Sequence, residues 1–181
     1  MDWWDRANDH SKMTSYIALL RAVNVAGTGK LPMASLRTMA EGIGFKSVRT
    51  YIASGNLLFE SDRSETEVKA ELEAELAAYA GKAVPVFVRT AAQLAAVHAA
   101  DPFPDAHRSR HLVYFLDTAP PSDTIETVRD LAGERIALGT REVYIDYGEG
   151  IRFTRLKTII TNIGTGRSIN TVAKLAAMVA D

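Results

Sequence analysis

The alternation of apolar and polar positions divides the chain into a regular first half and a less regular second half. Residues 16–25 (YIALLRAVNV) are apolar at both parities, the pattern of a strand with neighbours on both faces. Pro32 then opens a run with Met33, Leu36, Met39, Ala40 and Ile43 at spacings of three and four, which predicts a helix over 33–43 closed by Gly44. Residues 48–53 and 57–60 are β-rich and separated by Ser54-Gly55-Asn56, so they predict a hairpin. Ser64 and Glu67 have capping-box spacing, and Val68, Leu72, Leu76 and Tyr79 follow on one helical face up to Gly81. With a strand over 84–89 the order is β-α-β-β-α-β, that of a ferredoxin-like plait.

Beyond this point Thr90 and Gln93 cap a short helix that must stop before Asp101-Pro102, and Pro102 and Pro104 bracket Phe103 in a linker. Residues 111–116 read as a strand and 122–132 as a helix carrying Ile125, Val128 and Leu131. Residues 134–138 and 142–147 form a hairpin around Gly139-Thr140, and 153–163 a short helix. Gly164-Thr165-Gly166 breaks the chain before a final helix capped by Asn170, with Val172, Leu175, Ala176 and Val179 inward. The expected class is α+β: a ferredoxin-like subdomain over 14–100 packed on a second, smaller α+β subdomain over 101–181, one compact unit with its boundary in 101–109. Residues 1–13, with Trp3-Trp4 and three Asp, read as a flexible extension and lack the basic start of a signal peptide.

Composition narrows the chemistry. In 181 residues there is no Cys, which excludes disulfides, thiolate metal sites and thiol nucleophiles, and fits a cytoplasmic protein. A net charge of -1 gives no global attraction for nucleic acid or anionic membrane. That total conceals two opposed segments. Residues 60–75 hold seven acids and two bases, whereas 150–180 hold Arg152, Arg155, Lys157, Arg167 and Lys174 and no acid, so a local anion site stays open.

Familiar catalytic patterns are missing. Gly27-Thr28-Gly29-Lys30 lies between a strand and a helix, but Asn24 stands where a P-loop needs Gly, and Leu31-Pro32 replaces the Mg²⁺-binding hydroxyl. His10, His98, His107 and His111 have no metal-binding spacing, and no G-x-S-x-G elbow or paired acids can be picked out. The strands lack the aromatic pair of an RNP-type sheet. No cofactor, metal or membrane partner is expected. What remains is a set of polar residues at predicted strand ends. Arg21 interrupts an apolar strand, and a buried guanidinium needs a partner or a ligand. Asn24, Tyr51, Ser54 and Asn56 fall near adjacent strand ends, and Arg167 precedes a helix start at Asn170 and Thr171 whose free amides would suit an anion.

Arg21-Ala22-Val23-Asn24-Val25, Gly44-Phe45 and above all Thr50-Tyr51-Ile52-Ala53-Ser54-Gly55-Asn56-Leu57-Leu58-Phe59 resemble the bacterial family known as domain-of-unknown-function family 1697. The stretch from Thr165 to Leu175 is similar to that family's closing motif. The resemblance implies a two-part α+β fold with a ferredoxin-like first part and implies no activity. Two departures stand out: Ala22 and Ala26 occupy positions where the family has Gly, and Ser168-Ile169 replaces its Asn-Trp.

Together these readings lead to an expected site for a small anionic or phosphate-bearing ligand between the two parts. Arg21 and Arg167 would supply charge, Asn24, Tyr51, Ser54 and Asn56 orientation, and Asn170 and Thr171 helix-start amides. A structural or protein-interaction module, and single-stranded nucleic acid binding through the basic C-terminal third, are the alternatives; oligomeric state and catalysis are left open.

Overall fold

The structure, a computed structural model, describes residues 12–24 and 30–180. The expected extension, apart from Lys12 and Met13, and the Gly27-Thr28-Gly29 stretch therefore lie outside the described residues. The first half runs β1 (Thr14–Leu20), α1 (Met33–Ile43), β2 (Lys46–Tyr51), β3 (Asn56–Ser61), α2 (Glu65–Ala80) and β4 (Val86–Thr90), then α3 (Ala91–Ala99). The second half adds β5 (His111–Phe115), β6 (Arg135–Leu138), β7 (Glu142–Asp146), α4 (Ile160–Ile163), β8 (Thr165–Ser168) and α5 (Ile169–Ala180). Two four-stranded antiparallel sheets result, ordered β2-β3-β1-β4 and β6-β7-β5-β8.

Strand β1 explains its apolar run by burying both faces. Tyr16, Ala18 and Leu20 pack with Leu36 and Ala40 of α1 and Val68, Leu72 and Leu76 of α2. Ile17 and Leu19 point the other way and share a cluster with Leu94 and Val97 of α3, Val113 and Phe115 of β5, and Ile169, Val172 and Leu175 of α5. Apolar side chains of both halves thus fill a common layer. Helix α2 starts at the capping box read from the sequence, with Glu67 N–H bonded to Ser64 Oγ and Ser64 N–H to Glu67 Oε2. Thr90 and Gln93 repeat the arrangement for α3. Tyr79, expected on the inner face of α2, is exposed instead.

The outer face of the second sheet is covered differently. Tyr114, Leu116, Val143, Ile145 and Tyr147 pack there beneath Leu156 and Ile160, with no long helix over them among the described residues. The helix predicted over 122–132 does not form: Thr124 and Thr127 hydroxyls bond to the backbone at Pro121 and Thr124, and Asp130 adopts a positive φ of 57°. Arg129 then pairs by two backbone bonds with Lys157, which also interrupts the helix predicted over 153–163. Only a 3₁₀ turn at Ile151–Phe153 and the four-residue α4 remain of it. Both segments are rich in β-branched residues, whose helix propensity is low. Nor does 164–166 break the chain: Thr165–Ser168 is β8, paired with β5. A Cβ on Gly166 would sit 2.9 Å from the Tyr114 ring, so glycine lets β8 lie close to its neighbour.

Candidate functional site

Five of the eight sequence-selected residues meet at the β2–β3 turn or on its border, and the arginine at their centre is Arg167 on β8. Its side chain is buried, and all five N–H groups are used. Nε donates to Asn56 Oδ1 at 2.7 Å, Nη1 to Thr165 Oγ1 and Gly166 O at 2.8 and 2.9 Å. Nη2 donates to Leu20 O at 2.8 Å, Ser54 O at 3.0 Å and, more weakly, Gly55 O at 3.3 Å. Among the described residues no carboxylate pairs with it, and burial lowers the guanidinium to about 10 from its usual range. Asn56, itself buried, passes the network on through Nδ2 to Tyr51 O and Ser54 Oγ. Gly55 has a positive φ of 85°, and a Cβ there would lie 2.6 Å from Val23 Cγ2 and 2.9 Å from Leu20 Cβ. The motif T-Y-x-x-S-G-N therefore builds a turn that β8 clamps to the end of β1.

Asn24 serves the same turn from the opposite side. Its Nδ2 donates to Ala53 O and Leu31 O, both at 2.8 Å, and its Oδ1 accepts from Leu31 N–H at 2.6 Å. Tyr51 contributes its carbonyl, while its ring packs half-buried against the shared apolar layer. The remaining three depart from expectation. Strand β1 ends at Leu20, so Arg21 is not a buried base within a strand; it is half-exposed, and among the described residues its guanidinium has no partner. Asn170 does not cap α5. It lies within the helix, exposed, accepting from Arg108 Nε at 2.6 Å, and Ser168 Oγ receives the Thr171 N–H instead. Ser168 thus already occupies one of the helix-start amides that were expected to face a ligand.

Sequence reasoning missed a second buried arginine. Arg89 on β4 donates from Nε to Glu142 Oε1 at 2.9 Å, and its other nitrogens reach Val88 O, Leu116 O and Arg141 O. Burial lowers this guanidinium as well. Arg141 in turn forks onto Glu65 at 2.9 and 3.0 Å. Arg89, Arg141 and Glu142 line the groove between α3 and the β6–β7 hairpin, about 310 Å³, together with Ala96, Val97, Ala100 and Ala137. The signal was present: Arg89 ends the apolar run Val86-Phe87-Val88 much as Arg21 follows Leu20. The groove's charged groups are matched to one another, which leaves a mostly apolar recess and no free charge to attract an anion.

The exposed apolar residues gather elsewhere. Of the ten large apolar side chains that the described residues expose, seven fall between residues 125 and 163. Ile151, Phe153, Ile159 and Ile163 flank Leu156 and Ile160, which cover the outer face of the second sheet, and Ile125 and Leu131 lie on the segment that Arg129 joins to Lys157. Phe153 is 63% exposed, with the Arg152 guanidinium 4.7 Å above its ring. The covering layer is thus apolar on both sides, inward through Leu156 and Ile160 and outward through these six.

Among the described residues, two four-stranded antiparallel sheets and five helices make this a mixed α+β protein without a closed barrel. The chain belongs to the family described as protein of unknown function DUF1697, whose profile matches residues 13–144. The stretch resembling the closing motif lies beyond that span. A solved structure, the conserved bacterial protein SP0830 from Streptococcus pneumoniae, is similar with a TM-score of 0.77 and 24% identity, covering 93% of this chain and 99% of that one. At that identity the likeness is one of fold. No curated protein matches the chain. Among the described residues no helix is long and apolar enough to cross a membrane.

Proposed function

We propose that this chain is a protein-interaction module that docks through the outer side of its second sheet. The observation that carries the reading is the double-sided apolar character of the covering layer at 125–163. The first sheet is covered by α1 and α2, which turn Leu36, Ala40, Val68, Leu72 and Leu76 inward. The second sheet's cover instead exposes Ile151, Phe153 and Ile159 along one stretch of chain, and exposed apolar residues that gather into one patch mark a contact surface. The Arg167 cluster counts against an anion held at that point, since a ligand there would have to displace six hydrogen bonds. A photo-activatable phenylalanine analogue placed at position 153 in living bacteria should give one discrete adduct, lost on Ile151→Asp. The same analogue at Tyr79, exposed on the first half, serves as the comparison; equal labelling at both positions overturns the reading.

A second reading keeps the small anionic ligand and moves it. A pocket of about 230 Å³ beside Ala22 and Val23 has Lys30 and Lys82 over a floor of Leu31, Leu76 and Val84. Lysines above an apolar floor suit an anion with an apolar body. A thermal-shift screen with nucleotides and sugar phosphates tests it, and a response that survives Lys30→Ala counts against this pocket. Single-stranded nucleic acid has thinner support, the lone pair of Arg152 and Phe153; binding of an oligothymidylate that falls steeply with salt would revive it.

A further inference from the structure

Each sheet ends in two outer strands, and an outer strand presents a row of backbone N–H and C=O groups that another chain can pair with unless something obstructs it. Three of the four rows are obstructed. On β4 the Arg21 N–H bonds to Pro85 O, so Val86, Val88 and Thr90 turn outward, and side chains take up their groups. Glu73 accepts from Val86 N–H, Lys69 donates to Val86 O, Arg89 Nη1 donates to Val88 O, and Gln93 accepts from Thr90 N–H. On β8 Arg167 Nη1 donates to Gly166 O. Strand β2 is bulged between Lys46 and Arg49, where Ser47 has a positive φ of 51°. Strand β6 has no such device.

The register says which groups β6 presents. Gly139 N–H bonds to Glu142 O at 2.7 Å, and bonded pairs recur at every second residue of an antiparallel ladder, so Arg135 and Ala137 also turn their backbone groups to β7. Ile136 and Leu138 turn theirs away, and among the described residues nothing is bonded to them on that side. Ile136 packs on the outer face of the sheet, and Leu138, two residues on, shares that face. Leu138 nonetheless borders the recess beside α3, which therefore reaches the β6 backbone. Two N–H donors and two C=O acceptors at strand spacing are complemented by another extended backbone, whose alternate side chains would enter the recess. The charges lining it are already paired, Arg89 with Glu142 and Arg141 with Glu65, so it suits apolar side chains. A second copy adding its own β6 would bring only Arg135, Ala137 and Gly139 to that side. The Ala137 methyl leaves most of the 310 Å³ empty, and Arg135 is held by Asp105 and Asp146.

We infer that the free edge of β6 binds an extended peptide with large apolar residues at alternate positions, which adds a fifth strand to the second sheet. This surface is separate from the docking face at residues 151–159 and does not depend on it. Random decapeptides displayed on phage and selected on the full chain supply the probe. The selected sequences should alternate apolar with other residues, and a synthetic copy should slow hydrogen exchange at the Ile136 and Leu138 amides. Leu138→Pro removes one outward N–H and no bond to β7, so the variant should keep the wild-type circular dichroism melt. It should weaken the peptide by about tenfold, whereas Leu138→Ala, which keeps the N–H, should weaken it by about threefold at most. Methylating the peptide's own amides gives a check that leaves the protein untouched: about tenfold loss at alternate residues, those facing β6, and little at the residues between. A selection that yields no binder, or binding indifferent to both Leu138→Pro and amide methylation, overturns the inference. So does binding lost on Ile151→Asp, which would place the peptide on the other face. A wild type that self-associates and becomes monomeric on Leu138→Pro would show a second copy at this edge, and the peptide assignment would be wrong.

Discussion

Arg167 is held by its acceptors as much as it holds them. Removing its side chain strands Asn56 Oδ1 and the carbonyls of Leu20 and Ser54 in surroundings with little water, and each buried acceptor left unpaired costs about 1–3 kcal/mol. Arg167→Ala should therefore lower stability by about 3–5 kcal/mol, seen as a reduced urea midpoint at unchanged slope. Lysine keeps the charge but offers three donors from one nitrogen, so Arg167→Lys should rescue little. A midpoint equal to wild type would mean that the clamp is idle. Tyr144 provides a second test, through pH. Burial, with Glu142 and Asp101 adding repulsion, raises its phenol to about 12, and its hydroxyl donates to Val97 O at 2.7 Å. In the unfolded chain the phenol ionises near 10, so between these values the unfolded state binds fewer protons and the stabilisation falls as pH rises. Tyr144→Phe should cost about 1 kcal/mol at neutral pH. That gap should close between pH 10 and 12, where the wild type loses what the variant never had; a gap independent of pH contradicts the assignment.

Elements were legible where a long pattern and a cap agreed. Helices α1 and α2 and the β2–β3 hairpin follow from spacing, capping boxes and a turn, because their apolar sides face the core. The spacing of Ile125, Val128 and Leu131 is just as helical, yet periodicity does not say which side is wet, and here Ile125 and Leu131 face outward on a chain of turns. The candidate site was half legible for a related reason. Side chains that can form networks are visible in a sequence, and Asn24, Tyr51, Ser54, Asn56 and Arg167 do come together. Backbone carbonyls as their acceptors are not visible, and this is why a fold-holding cluster looks like an anion site. The turn after β1 gives a prediction. Ala22 has a positive φ of 55°, a conformation that costs a residue with a Cβ about 1–2 kcal/mol and explains the glycine expected there from the family pattern. Ala22→Gly should raise stability, by about 0.5–1 kcal/mol once the greater freedom of glycine in the unfolded chain is subtracted. An unchanged or lower thermal midpoint would show that this backbone is not strained.

At the scale of the molecule the question is whether the boundary expected at 101–109 separates units that fold alone. Ile17, Leu19, Leu58 and Phe87 of the first sheet are buried against a layer that includes Val113, Phe115, Ile169, Val172 and Leu175, all from beyond residue 110. Full burial of one such side chain is worth about 1.5–3 kcal/mol, so four together are worth on the order of 6–12 kcal/mol, of which Leu94 and Val97 of α3, still within a fragment ending at residue 100, keep only a share. The rest is a large fraction of the whole stability of a typical domain, about 5–15 kcal/mol. The same cut removes Glu142 and the Leu116 and Arg141 carbonyls from Arg89, so the end of β4 loses its hydrogen-bonding partners as well. A fragment of residues 12–100 should show helical circular dichroism without a cooperative melt, bind a hydrophobic dye and give poorly dispersed amide resonances. The full chain should unfold in one transition by both far- and near-ultraviolet circular dichroism. A fragment that melts cooperatively would make the linker a domain boundary and would mean that the layer shared by the two halves is an interface between domains and not a core.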